Sequence, residues 1–349
     1  MGRKKLDISI YSLAKELGVS PATVSKALNN AEDVAQDTRN RILAKAEEHG
    51  FKRQAFQSNF TNICALIELP DGAPTVFSPF VSSVLEGIWN YTNENKMEMS
   101  YFVQSTEFFN DVHVPKLLSR RRVNGVVLIN SGDKSEYAKQ LIKAKVPFCA
   151  LQSKPANINS PVLSLDGFAP LKEATEHLIQ LGHTKIAYLN ELFEKEIGTH
   201  RLDGFKKAMN DAGLAIDPNL MYPSSELPTS SDGFEFGYTG IKALLHEKRE
   251  FTAVITTSTQ VATGAMHALN ENNISIPNDC SIISCDDSPS SPYLNPPLSC
   301  IDFSNQALGS AGAKWVHQML DGKAPENYPY ELWMKTQLIL RKSTGRCPN

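Results

Sequence analysis

From residue 63 onward, short apolar runs alternate with stretches of helical spacing, and this alternation constrains the fold more than any other feature. The runs are Cys64–Leu69, Met99–Val103, Val126–Asn130, Pro147–Leu151, Val162–Leu165, Ile186–Leu189, Ala253–Thr257 and Cys280–Cys285. Between them, Phe80–Asn93 and Leu171–Leu181 repeat apolar residues at helical intervals. A helix between consecutive strands carries the chain back to the starting edge, so such strands run parallel and the helices cover both faces. A chain of 349 residues has room for two lobes of this kind, each of about 130–150 residues, behind a smaller leading domain. Hydrophobic residues make up 41% and charged residues 21%, a balance that supports packed cores and excludes general disorder.

Charge divides the chain unevenly. Residues 1–62 hold ten basic and seven acidic side chains, whereas residues 63–349 hold 25 and 31. The total of −3 therefore hides a positive front on a negative body, which allows contact with a polyanion through one end. No apolar run approaches the roughly 18–20 residues of a membrane helix. The stretch Ile8–Ala14 contains Ser9, Tyr11 and Ser12 and runs into Lys15, which makes a poor export signal. A cytoplasmic protein without membrane contact is expected. Six cysteines, Cys64, Cys149, Cys280, Cys285, Cys300 and Cys347, show no ligand spacing. Reduced thiols are expected, with no metal and no cofactor.

The first fifty residues read as three helices. Ile10, Leu13, Ala14 and Leu17 share a helical face, and Gly18 ends that segment. Ser20-Pro21 restarts a helix, with Ser at the N-cap and Pro in the first turn. In this second helix, about Pro21–Leu28, Val24 and Leu28 turn inward with Ala14, Leu17 and Val19. Pro21, Ala22, Ser25, Lys26 and Asn29 face outward. A third helix, about Gln36–His49, directs Ile42, Leu43 and Ala46 inward. The first two helices with their tight turn make a helix-turn-helix. Its outer face is small, hydroxylated and singly cationic, so it can enter a groove closely. Lys26 can reach guanine acceptors, Ala22 a thymine methyl, and Ser20, Thr23 and Asn29 phosphates.

The unbroken run Leu13-Ala14-Lys15-Glu16-Leu17-Gly18-Val19-Ser20-Pro21-Ala22-Thr23-Val24-Ser25-Lys26-Ala27-Leu28-Asn29 resembles the DNA-binding head of the lactose-repressor (LacI/GalR) family. The likeness continues through Thr38-Arg39, Ile42, Ala46–Glu48 and Gly50-Phe51. It implies a second helix in the major groove and a homodimer on a pseudo-palindromic operator. By this resemblance Pro21, Ala22 and Lys26 read bases, while Ser20, Thr23, Ser25 and Asn29 contact phosphates. Residues 1–50 then form the head and 51–62 the hinge. In the hinge, the family's minor-groove wedge falls on Phe60, with Phe56 four residues earlier as the other candidate; packing of both on the core is the third possibility. Two departures stand out: Ala35 where the family usually has a capping Ser, and Phe51-Lys52-Arg53-Gln54 where it usually has Tyr-x-Pro-Asn.

The body resembles the same family over nearly its whole length. The motifs are Arg121-Arg122-Val123-Asn124-Gly125-Val126-Val127, Thr175-Glu176-His177-Leu178, Leu181-Gly182-His183 and Arg201-Leu202-Asp203-Gly204-Phe205, with Cys285-Asp286-Asp287, Asn295-Pro296-Pro297-Leu298 and Leu340-Arg341-Lys342-Ser343-Thr344 further on. The implied fold is that of type I periplasmic sugar-binding proteins. An all-α helix-turn-helix head would precede a two-lobed α/β effector domain, residues 63–349, with parallel sheets and helices on both faces. The chain would cross between lobes near Asp166, Pro292–Phe303 and Tyr328. The N-lobe would hold about 63–165 and 303–327, and the C-lobe about 166–302 and 328–345. Ligands of such sheets sit at the carboxyl ends of the strands. There the resemblance places Asp166, Arg201, Ser258 and Asp286 as effector contacts. Thr257-Ser258-Thr259 stands where sugar-responsive members often carry Asn-Asp, so a planar amide and a carboxylate are missing. Phe234 and Phe236 could stack on a ligand or fill the core, the core being favoured. His177 and His183 fall in a structural helix and its closing turn.

The expected function is DNA-binding transcriptional regulation, as a repressor controlled by a small-molecule effector, a sugar or related metabolite. The alternative is a solute-binding protein without a DNA role. No Gly-x-Ser-x-Gly elbow, phosphate loop or His-Glu-x-x-His occurs, so no catalysis is expected.

Overall fold

A computed structural model describes residues 9–28, 34–48, 61–69, 78–105, 114–130, 136–152, 162–191, 196–222, 232–323, 331–334 and 336–348. Asn29, Phe56 and Phe60 lie outside them. The chain divides into two compact units, Met1–Thr61 and Asn62–Asn349.

The first unit holds helices α1 (Ile10–Leu17), α2 (Pro21–Leu28) and α3 (Gln36–Glu48). Ser9 and Ser12 form a reciprocal cap at the start of α1, and Gly18 closes the helix at φ 66°, a left-handed position suited to glycine. Ser20 begins α2 by accepting the Thr23 N–H on its Oγ at 3.0 Å. The eight residues each of α1 and α2 are too few to be stable alone, so packing must hold these helices. Leu13, Ala14, Val24, Ala27, Leu28, Val34, Ile42 and Ala46 form the shared core, with Ile10, Leu17 and Val19 against it. Leu43 departs from expectation, being 41% exposed. Its neighbour Ile42 already fills the inward direction, and one further residue rotates Leu43 about 100° away. Lys45 ties α3 to α1 through Glu16 at 3.0 Å and also reaches Glu48 at 2.9 Å.

The second unit alternates as β1 (Asn62–Leu69), α4 (Pro79–Glu94), β2 (Glu98–Ser105), α5 (Val114–Arg120), β3 (Gly125–Ile129), α6 (Glu136–Lys143), β4 (Phe148–Leu151) and β5 (Val162–Leu165). It continues with α7 (Phe168–Gln180), β6 (Ile186–Leu189), α8 (Glu196–Asp211), β7 (Met221–Tyr222), α9 (Gly233–His246), β8 (Ala253–Thr256), α10 (Thr259–Glu271) and β9 (Ser281–Ser284). The last elements are β10 (Ser299–Asp302), α11 (Asn305–Leu320), β11 (Glu331–Met334) and β12 (Gln337–Ile339). Two six-stranded sheets result, ordered β11-β5-β4-β3-β1-β2 and β12-β10-β9-β8-β6-β7. All pairs are parallel except β10 with β12.

Three passages join the lobes. The first follows β5 at Asp166–Gly167, and the second lies between β10 of the second sheet and α11, which packs on the first. The third differs from the sequence expectation near Tyr328. Glu331–Met334 pairs in parallel with Val162–Leu165 and so extends the first sheet, which moves the passage to the link between β11 and β12. A four-residue edge strand has too little apolar pattern to be seen without its partner.

Helices flank each sheet as parallel pairing requires. Cys64, Leu66, Val126 and Leu128 pack with Leu118, Tyr137 and Leu141 of α5 and α6 on one face of the first sheet. On its other face Ile63, Ala65 and Ile67 meet Val84 and Ile88 of α4 and Leu308 and Val316 of α11. In the second sheet Leu189, Val254 and Ile282 pack with α9 and α10.

Candidate DNA interface and effector cleft

In the head, α2 has two unlike faces. Val24, Ala27 and Leu28 are buried, while Pro21, Ala22 and Lys26 are exposed and Thr23 and Ser25 half-buried. The three residues expected to read bases therefore stand together on solvent, supported by the core beneath. Ser20 and Thr23 are partly committed to the helix: their hydroxyls are 2.8 Å apart, and Ser20 caps the first turn. Sequence reading passed over Tyr11, 75% exposed on α1. The available signal was an aromatic residue lying outside the helix's apolar stripe.

In the body, the carboxyl ends of β6, β8 and β9 lead into Asn190, Thr257 and Cys285-Asp286. Arg201 on α8 reaches this edge. It is 6% exposed, donates from Nη1 to the Thr257 carbonyl at 2.9 Å, and lies over the Phe303 ring with 4.6 Å to the centroid. Its Nε is buried without a hydrogen-bond partner. An unmet donor of this kind is costly, so the arginine is built for more than its visible contacts. Asp286 is half-buried and accepts on Oδ1 from the Thr259 amide, from Thr259 Oγ1 at 2.6 Å and from Ser284 Oγ at 3.2 Å. Burial pushes its carboxyl pKa up, opposed by those hydrogen bonds and the charge of Arg201.

The other two expected effector residues do different work. Asp166 caps α7 by accepting the Phe168 amide at 2.8 Å and the Ala169 amide at 3.3 Å. Ser258 caps α10 by accepting the Val261 amide at 3.3 Å. The whole Thr257-Ser258-Thr259 segment is thus engaged within the protein: a carbonyl for Arg201, a helix cap, and a double donor to Asp286. Arg341, which sequence reading used only as a family marker, grips Asp287 through two bonds of 2.7 and 3.0 Å and fixes the loop beside Asp286.

Phe236 lies in the core, edge-on to Tyr222 with centroids 4.9 Å apart. Phe234 is exposed and stacks on Tyr238 with centroids 6.4 Å apart, so core packing does not hold for it. His183 is fully buried. Its Nε2 approaches the Gly345 carbonyl at 3.1 Å and Ser281 Oγ at 3.0 Å, while Nδ1 approaches Thr252 Oγ1 at 2.9 Å. A carbonyl can only accept, so Nε2 carries the proton and Nδ1 accepts from Thr252. Among the described residues no group of His, Cys, Asp or Glu could hold a metal, and no helix is long and apolar enough to cross a membrane.

Comparison with known proteins agrees with this division. Residues 9–54 match the family of bacterial regulatory proteins of the lacI type, and residues 175–344 match a periplasmic binding protein-like domain. The transcriptional regulator RegA of Clostridium saccharobutylicum is 26% identical over 341 residues, covering 96% of this chain and 99% of that protein. The transcriptional repressor PurR of Haemophilus influenzae is 29% identical over 349 residues, covering 96% and 98%. Among solved structures, the regulator CelR in complex with cellobiose superposes with a TM-score of 0.69 at 20% identity, covering 96% of this chain and 99% of that one. The lac repressor dimer bound to operator gives 0.66 at 21% identity, covering 97% and 99%.

Head and body together define a DNA-binding regulator whose second domain takes up a small molecule. The chain carries a lacI-type DNA-binding domain and a periplasmic binding protein-like domain, and the relatives it resembles along almost its whole length are transcriptional regulators. A solute-binding protein alone would leave the head without a role.

Proposed function

We propose that this protein is a cytoplasmic repressor that binds a pseudo-palindromic operator as a homodimer and changes affinity when a hydroxyl-rich metabolite enters its cleft. The carrying observation is the exposed triad Pro21, Ala22 and Lys26 on a helix whose opposite face is buried. On this reading Lys26 donates to guanine, Ala22 meets a thymine methyl and Pro21 sets the close approach, while Ser20, Thr23, Ser25 and Asn29 hold phosphates. Tyr11 adds an exposed phenol on α1. Phe60 or Phe56 supplies the minor-groove wedge.

In the cleft, Arg201 offers an unmet donor and Asp286 an acceptor beside it, a pair suited to the two-way hydrogen bonding of a hydroxyl. Asp166 and Ser258 border the ligand as helix caps. Effector binding stabilises one disposition of the lobes over another, and operator affinity shifts by the difference in effector affinity between them. The structural relative solved with cellobiose carries an effector of this hydroxyl-bearing class. Selection of duplexes from random DNA by the full-length protein, followed by a screen of sugars, nucleosides and nucleobases for release, tests the proposal. Recovery of a two-fold symmetric site and of a releasing metabolite supports it. Failure to enrich any sequence refutes it.

A further inference from the structure

The first sheet has a second edge, away from the carboxyl ends, where its strands begin. Six exposed cations stand there: Lys96 before β2, Arg120, Arg121 and Arg122 before β3, and Lys143 and Lys145 before β4. In the sheet, β4, β3, β1 and β2 are successive neighbours, so these turns make one band on both sides of Asn62, where β1 begins. Four strands span about 15 Å. Opposing charge is sparse: Glu94 and Glu98 flank Lys96, and Asp321 at the end of α11 is taken by Lys323 at 2.9 Å. None of the six cations is ion-paired among the described residues. Among the described residues only Arg121 of the six has a side-chain contact, over the Phe102 ring with 5.6 Å to the centroid. This positive band sits on a body with more acidic than basic residues.

The helix-closing turns supply a second observation. Each of eight helices of the body ends on a residue of positive φ that donates its N–H three residues back. In the first lobe these residues are Lys96, Arg122, Lys145 and Gly322; in the second they are Gly182, Gly213, Lys248 and Asn273. A side chain at this position is less favourable than glycine. The first lobe nevertheless places a cation there three times in four, the second once. In α5 and α6 offsetting the helix dipole does not account for it, because Arg120 and Lys143 already stand in their last turns; α4 has no basic residue in its last turn, so Lys96 also serves that end.

The band is also fixed to the point where the chain arrives from the head. The Asn62 amide donates to Asn124 Oδ1 at 2.8 Å, its Nδ2 donates to the Arg121 carbonyl at 3.3 Å, and the Asn124 amide donates to the Asn62 carbonyl at 2.9 Å. Only residues 49–61 lie between α3 and β1, a tether of at most about 45 Å when extended. That length of chain is compatible with the band meeting a duplex held by the head.

We infer that the Lys96–Arg122–Lys145 band is a second DNA contact, which engages operator phosphates and adds affinity without reading sequence. This rests on the DNA-binding reading above. The test compares full-length wild type with the Arg120→Gln/Arg122→Gln variant, and with the charge-keeping Arg120→Lys/Arg122→Lys variant, on the selected operator and a scrambled duplex across a salt series. The Gln variant should weaken both duplexes by the same factor with base preference intact. Its plot of log affinity against log salt should be shallower by about one unit per lost phosphate contact. Its deficit should shrink by about tenfold per protomer between about 50 and about 200 mM salt. The Lys variant should resemble wild type. If the Gln variant unfolds at lower temperature than wild type, Lys96→Gln with Lys145→Gln on either side of the band repeats the measurement. A folded Gln variant with wild-type affinity and slope overturns the inference and leaves an acidic protein as the band's partner. A wild type that prefers no duplex overturns the DNA-binding reading, and this inference with it.

Discussion

Lys26 is the one cation among the outward residues of α2, and its ammonium is the group that can discriminate a guanine edge. Lys26→Ala should cost about 1–3 kcal/mol of operator affinity and relax preference at one base pair per half-site; anisotropy titrations on single-base variants of the operator read both. In the cleft, Arg201→Lys keeps the charge but removes the fork that reaches Thr257 and leaves Nε available. Effector affinity should fall by about 1.5–3 kcal/mol, with operator affinity in the absence of effector unchanged. Calorimetry with the releasing metabolite measures the first, and wild-type effector affinity would contradict the assignment. Buried histidine gives a pH dependence of known sign. Burial holds the pKa values of His183 and His177 below the ordinary 6.5. As pH falls through that ordinary value, the unfolded chain takes up protons before the folded one, so stability is present above it and lost below. The melting temperature should therefore decline from about pH 7.5 to about pH 5.5, and less steeply in His183→Gln. The sequence displayed the identity of these residues, but it could not show that Asp166 and Ser258 are occupied as helix caps.

Among the elements, α4 and α7 were visible in sequence because each is long enough to show its stripe, whereas the short α5 and α6 and the strands β7, β10, β11 and β12 reveal no clear period. Position within a sheet, not local preference, makes Glu331–Met334 a strand. Packing between helices also depends on residues that carry no periodic signal. Gly264 of α10 lies against α9 so closely that a Cβ there would overlap the Phe234 carbonyl oxygen, which is backbone and cannot turn aside. Gly264→Ala should destabilise the protein by about 1–3 kcal/mol through this overpacking, seen as a lower urea midpoint with unchanged slope. A stability equal to wild type would mean that α9 and α10 can separate without cost. In the head, the same reasoning runs in reverse: α1 and α2 are individually too short to persist, and the eight-residue core they share with α3 is what presents the recognition face.

For the molecule as a whole, regulation requires that effector and operator influence each other's binding by equal factors. That coupling should lie near 1–3 kcal/mol, or about 5–150-fold. Titrating effector with and without operator, and operator with and without effector, must give the same ratio. Unequal ratios would mean that the two ligands do not share one conformational equilibrium. The sequence alone determined that this chain has a small helical head on a parallel α/β body, because helical and strand periodicities are local and the head's motif is contiguous. It also identified Pro21, Ala22 and Lys26 as exposed on α2, since a short helix with one apolar face leaves little choice for the other. Tertiary structure decided which lobe each late strand joins, how Arg201, Asp286 and Thr259 meet, and that separate turns align their cations into one band. These residues lie far apart along the chain, and only strand order and lobe pairing bring them together in space.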